Sequence, residues 1–148
     1  MPQELPERYL LNIQKQIDID APAAVAFDAM LEQLGPANNS LHGPMPMKLE
    51  PWPGGRWYRD LGNNAGHLWG HVQVIKPPTL LEVTGPLFMS YAAISHVQYR
   101  LTPQGQGTRL TFIHRAIGEI APEHREGAPR AWEHVLAEIK VLAEKRKP

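Results

Sequence analysis

Cysteine is absent from the 148 residues, which excludes disulfides, thiolate metal sites and a cysteine nucleophile. Net charge is absent as well. Fifteen Lys plus Arg balance fifteen Asp plus Glu, so no overall field draws nucleic acid or an anionic membrane. No apolar run reaches the roughly 20 residues that cross a bilayer, and Met1 to Leu11 lacks the basic start and apolar stretch of a signal peptide. The expectation is a cytoplasmic protein without membrane insertion and without a nucleic-acid partner. There is no P-loop, dinucleotide-binding glycine motif or nucleophile elbow, so neither a nucleotide cofactor nor serine hydrolysis is indicated. The 15 Pro and 12 Gly are scattered as punctuation, without repeats or low-complexity tracts. The length suits one domain spanning 1–148.

What the sequence does have is periodicity. From Tyr9 to Asp20, Leu11, Ile13, Ile17 and Ile19 alternate with Asn12, Gln14, Gln16 and Asp18, the period of a half-buried strand. Lys15 falls on the apolar side, where its stem can snorkel near an edge. Ala21-Pro22 then opens a helix in which Phe27, Met30, Leu31 and Leu34 share a face, and Gly35-Pro36 closes it. A second short helix near Glu32 to Asn39 fits the same stretch.

Strand-like runs follow: Met47 to Trp52, Arg56 to Leu61, His67 to Lys76, Leu80 to Gly85, Ala92 to Thr102 and Thr108 to Ala116. Their connections, such as Pro53-Gly54-Gly55, Gly62-Asn63-Asn64 and Gln104 to Gly107, are too short for parallel crossovers, which predicts an antiparallel meander. The period then returns to 3.6. From Arg130 onward Trp132, Val135, Leu136, Ile139, Leu142 and Ala143 fall on one face, with Glu133, His134, Glu138 and Lys140 off it. Because Pro129 suits the start of a helix, Pro122 to Glu126 reads as a separate turn. The fold class is α+β: a curved antiparallel sheet of about six to seven strands wrapped on a long C-terminal helix, with one or two short helices after strand one. A curled sheet gripping one helix leaves room between them.

This order of elements carries Ile17-Asp18-Ile19-Asp20-Ala21-Pro22, Pro53-Gly54-Gly55-Arg56-Trp57, Gly70-His71-Val72 through Pro77-Pro78, and Leu81-Glu82-Val83-Thr84. It continues with Gly107-Thr108-Arg109-Leu110-Thr111-Phe112, His114 and Trp132. Over residues 9 to 146 it resembles the START-like, or SRPBCC, superfamily with the helix-grip fold of the birch-pollen allergen. Within that superfamily it is most similar to bacterial homologues of the activator of the heat-shock-protein-90 ATPase. The resemblance implies a pocket for a small hydrophobic molecule or a surface that docks on a chaperone. It also leaves room for a cyclase or hydratase, since fold membership fixes little about function.

On the residues themselves, Phe27, Trp57, Val97, Tyr99, Leu110, Phe112 and Trp132 form the expected lining of such a pocket, or else simply fill the interior. His114 shares parity with Leu110 and Phe112, so it faces inward, either as a ligand contact or as a core imidazole satisfied by a carbonyl or water. Arg59 has the parity of Trp57, and an inward guanidinium would need an anionic partner. His67 and His71, four apart on a strand, stand about 13 Å from one another, too far to share a metal, and both read as surface residues. Ser95 and His96 point to opposite faces and make no dyad. Asp60, Glu82 and Glu50 read as solvated. Met45, Met47 and Met89, with Pro86-Leu87-Phe88-Met89, offer an adaptable rim or an ordinary loop anchor. No catalytic residue, metal ligand or cofactor is assigned, and the favoured function is a non-enzymatic binding protein for a small hydrophobic molecule.

Overall fold

The computed structural model describes residues 4–148. A single 3-10 turn, Glu7–Tyr9, leads into β1 (Leu10–Ile19) and α1 (Ala23–Leu34). A small hairpin, β2 (Asn39–Ser40) and β3 (Gly43–Pro44), precedes the meander. The meander comprises β4 (Lys48–Leu49), β5 (Arg56–Gly62), β6 (Ala65–Lys76), β7 (Leu80–Gly85), β8 (Ala93–Gln104) and β9 (Gly107–Gly118). The chain closes with α2 (Pro122–Lys145). Seven strands form one antiparallel sheet in the order β1-β9-β8-β7-β6-β5-β4, and α2 lies in its concave side with α1 packed beside it.

The alternation in β1 works as the period requires: Leu11, Ile13 and Ile19 are buried, while Asn12, Gln14 and Gln16 are exposed. Lys15 lies on the inner parity and its ammonium reaches Glu133 of α2 at 2.6 Å. The β8–β9 hairpin turns through Gly105, whose φ of 63° suits a residue without a Cβ.

Four details depart from the expectation. Helix α2 begins at Pro122 and runs straight through Pro129, so Pro122 to Glu126 is its first turn. Its 24 residues make a rod about 36 Å long. The missing amide at 129 is outweighed by tertiary anchors on that turn. Arg125 donates to the carbonyls of Glu7, Arg8 and Leu10 at 2.9–3.1 Å. The Tyr91 hydroxyl accepts the Ala121 N–H at 3.1 Å and lies 2.8 Å from His124 Nδ1. Second, no separate short helix stands between α1 and β2. The chain turns at 35–37, held by Gln33 Nε2 donating to the Ala37 carbonyl at 2.8 Å and by Asn38 Nδ2 donating to the Met45 carbonyl at 2.9 Å.

Third, Met47 to Trp52 pairs only at Lys48–Leu49, because the Glu50 carboxylate turns back to accept from the Arg56 N–H and guanidinium at 2.8–2.9 Å. Those bonds hold the Glu50 carboxyl down at about 2. Fourth, a β-bulge places both Trp69 and Gly70 opposite Trp57, which changes the parity of β6. Trp69 is therefore buried and Leu68 is exposed, the reverse of a regular alternation.

The far end of α2 is also fixed. Glu144 accepts the Asp20 N–H at 2.8 Å, Lys140 donates to the Asp18 carbonyl at 2.6 Å, and Lys147 meets Asp20 at 2.7 Å. Inward residues Ala128, Trp132, Leu136, Ile139 and Ala143 follow the 3.6 period over five positions. The rod is clamped at both ends and seated along its length. Among the described residues, no helix is long and apolar enough to cross a membrane.

Candidate functional site

Where Trp132 of α2 meets β8 and β9 the interior is solid. Tyr99 and Phe112 rings lie 5.1 Å apart, Phe112 and Trp132 4.5 Å, and Tyr99 and Trp132 6.5 Å, close enough to exclude any guest. Phe27, Val97 and Leu110 are buried in the same core. Five of the expected lining residues, Phe27, Val97, Tyr99, Leu110 and Phe112, thus pack against one another and do not border the open space.

That space lies on the other side of Trp132, under residues 127–135 of α2, as a cleft of about 280 Å³. Trp57, Trp69, Phe88 and Trp132 form its aromatic walls, and the β2–β3 hairpin with Met45 roofs it. Of the expected lining, only Trp57 and Trp132 meet here. Phe88 and Met45 come from the expected rim, while Trp69, Asn39 and His134 join the lining without a sequence signal for it.

Each wall is held by a specific contact. The Trp57 indole N–H donates to the Leu34 carbonyl at 2.8 Å, satisfying a carbonyl at the open end of α1 and fixing the ring. Trp69 meets Trp57 edge to face at 5.1 Å and Phe88 at 5.8 Å. A Cβ at Gly70 would stand 2.7 Å from the Thr84 carbonyl oxygen, so only glycine lets β7 come this close beside the Trp69 bulge. Phe88 is carried by a loop in which Leu87, fully buried, adopts φ 54° and donates its N–H to the Trp69 carbonyl at 2.8 Å. A branched side chain at positive φ is costly, and burial of Leu87 holds it there. The same loop supplies Met89 to the core, as Met47 does from the other side.

His114 is wholly buried, and both its nitrogens are engaged. The Trp132 indole N–H, which can only donate, meets Nδ1 at 3.0 Å. Nδ1 therefore carries no proton, and the neutral ring donates Nε2–H to Ser95 Oγ at 2.8 Å. Burial pushes its pKa down to about 4. The ring faces the interior, yet Phe88 and Trp132 stand 6.1 and 5.7 Å from it edge to face and separate it from the cleft. It acts as a positioning residue for the Trp132 wall.

Among the described residues, three buried side-chain polar atoms have no hydrogen-bond partner: Asn39 Oδ1, His134 Nε2 and the Tyr99 hydroxyl. Burial raises the Tyr99 pKa well above its ordinary value, so the phenol stays neutral. Asn39 and His134 both belong to the cleft lining. His134, expected on the wet side of α2, is half-buried because the β2–β3 hairpin packs over it.

The remaining candidates lie elsewhere. Arg59 is half-buried opposite His67 on the β5–β6 ladder and does not border the cleft. The bulge brings His67, with Trp69, to the inner parity of β6, at a ring distance of 6.3 Å, and leaves it half-buried; His71 is exposed. His96 pairs outward with Glu82 at 2.7 Å and is separate from Ser95. Among the described residues, no three His, Asp or Glu side chains gather into a metal-binding group.

This frame has relatives. The family described as Activator of Hsp90 ATPase homolog 1-like protein matches residues 20–144. The chain belongs to this family. Within the Activator of Hsp90 ATPase homolog 1-like fold, protein MLL2253 from Mesorhizobium loti superposes with a TM-score of 0.70 at 19% identity, over 93% of this chain and 99% of that one. Protein CV1439 from Chromobacterium violaceum gives 0.71 at 17% identity, over 90% and 98%. The di-domain ARO/CYC StfQ from the steffimycin biosynthetic pathway gives 0.67 at 13% identity, over 95% of this chain and 52% of that one. At these identities the likeness is one of fold. No curated protein matches the chain.

Proposed function

We propose that this chain is a non-enzymatic binding protein that holds a small, mainly apolar molecule in the cleft under residues 127–135 of α2. The observation that carries this reading is the convergence of Trp57, Trp69, Phe88 and Trp132 on one space of about 280 Å³. An apolar wall with a few polar groups is the usual make-up of a ligand site, and the volume lies near the ~300 Å³ lower bound for such sites. The occupant is accordingly compact, of the size of a bicyclic aromatic. Turnover finds little support. His114 has no free nitrogen, the Tyr99 hydroxyl is enclosed in the core, and Arg59 stands off the cleft.

The test is thermal unfolding with naphthalene or 2-naphthol, in the wild type and in Ala131→Trp, which fills the cleft from α2. A ligand at 100 times its Kd stabilises by about 2.7 kcal/mol, and the account expects a rise in Tm that the filled variant loses. No rise with either compound would reject it.

The family match favours one second reading, docking on a chaperone. Leu10, Ile117 and Ile94 are register neighbours across β1, β9 and β8, and all three are exposed on the convex face. If that stripe docks on a chaperone of the Hsp90 type, Ile117→Asp abolishes any stimulation of the chaperone's ATPase. Absence of stimulation by the wild type removes this reading.

A further inference from the structure

We infer that the molecule held in the cleft carries a carboxylate on a short chain, and that this carboxylate pairs with Arg59, one pleat beyond the Trp57 wall. This deepens the binding reading above and rests on it. Among the described residues, five Lys and Arg side chains are half-buried: Lys15, Arg59, Arg109, Arg125 and Lys140. Lys15, Arg109 and Lys140 meet carboxylates at 2.6–2.9 Å, and Arg125 donates to three carbonyls. Arg59 alone of the five has neither a hydrogen bond nor an ion pair. The acids near it in the chain are already engaged, Asp60 by Lys48 at 2.9 Å and Glu50 by Arg56 at 2.8 Å.

Its place on the sheet fits an anion reaching out of the cleft. Trp57 is buried inward, so Arg59, two residues on, shares its face, while Arg56 and Tyr58 stack together on the other face at 4.7 Å. Two residues of strand span about 6.7 Å. Opposite Arg59 stands His67, whose ring lies 6.3 Å from that of Trp69, itself a wall of the cleft. Arg59 and His67 border the open depression at the tip of the β5–β6 hairpin, so an incoming oxyanion can reach the guanidinium. A guanidinium offers a planar fork that takes a carboxylate through two parallel hydrogen bonds, and one such fork balances one negative charge. No Asp or Glu borders the cleft to repel it. The occupant is then a ring between the aromatic walls with a chain of a few carbons crossing the pleat to Arg59.

The discriminating experiment is calorimetric titration of the full chain with 4-(2-naphthyl)butanoate and with the neutral 4-(2-naphthyl)butanamide, which keeps the ring, the chain and nearly the shape. In the wild type the acid is expected to bind at least tenfold tighter than the amide. In Arg59→Gln that ratio falls below threefold with the amide affinity unchanged, whereas Arg100→Gln, which removes an exposed charge from β8, keeps the wild-type ratio. Ala131→Trp, which fills the cleft, weakens both compounds. Circular dichroism confirms that each variant is folded. A wild-type ratio near one, with both compounds bound, overturns the pairing and leaves the cleft reading standing. A ratio that falls as far in Arg100→Gln as in Arg59→Gln also overturns it, as does undiminished binding of the acid in Ala131→Trp. Failure of both compounds to bind the wild type overturns both readings.

Discussion

The Trp132 indole N–H donates to His114 Nδ1 across 3.0 Å, tying the wall of the cleft to the centre of β9. His114→Ala removes that acceptor, leaves the Trp132 N–H and Ser95 hydroxyl without their partner, and opens a void among buried rings. The expected cost is about 3–5 kcal/mol in urea unfolding. A loss under 1 kcal/mol would show that the network does not hold the wall.

The same ring makes stability depend on pH. Its folded pKa of about 4 lies below its ordinary value of 6.5, so between these limits the unfolded chain binds more protons. The contribution of His114 is complete above pH 6.5, is lost progressively as the pH falls to about 4, and amounts to about 3 kcal/mol. His114→Gln, which cannot titrate, flattens the stability curve across that window. An unchanged slope in the variant would contradict the assignment.

Pro129 interrupts the hydrogen-bond ladder of α2 at the Arg125 carbonyl. Since Arg125 and Tyr91 anchor the first turn independently of it, Pro129→Ala is expected to stabilise the protein by about 1–3 kcal/mol, read as a higher Tm. A lower Tm would mean that the proline shapes the turn.

Gly70→Ala drives a Cβ toward the Thr84 carbonyl oxygen at 2.7 Å and Val83 Cγ1 at 2.8 Å. Strand separation at the Trp69 bulge then costs about 1–3 kcal/mol by denaturant titration. Because Trp69 rides on that bulge, its fluorescence shifts in the folded state. A neutral substitution would show that β6 and β7 have slack.

The parts of this fold legible in the sequence are those governed by regular periods. Leu11, Ile13 and Ile19 declare β1, the short turns declare the meander, and Trp132 through Ala143 declare the seated face of α2. Irregularities hid the rest. A one-residue bulge at Trp69 inverts a parity argument, and tertiary anchors at Arg125 and Tyr91 carry a helix through Pro129. Inward direction was readable for His114, Tyr99 and Phe112, but whether inward residues enclose space or fill it depends on ring-to-ring distances that no pattern encodes. The cleft lies beside residues 127–135 of α2, where the Trp69 bulge and the Phe88 loop supply walls that no regular period places. Phe88, between Pro86 and Met89, was already a candidate rim, and His134 carried only the weak signal of an imidazole four residues before Glu138.

Four tryptophans give the cleft its own set of reporters. Trp57, Trp69 and Trp132 line it, and Trp52, 55% exposed, stands outside. Titration of nitrogen-15-labelled protein with 2-naphthol, followed at the indole N–H resonances, should move the signals of Trp57, Trp69 and Trp132 along one saturable curve and leave Trp52 in place. Shifts confined to Trp52, or to the amides of Leu10, Ile94 and Ile117 on the convex face, would contradict a ligand held under α2.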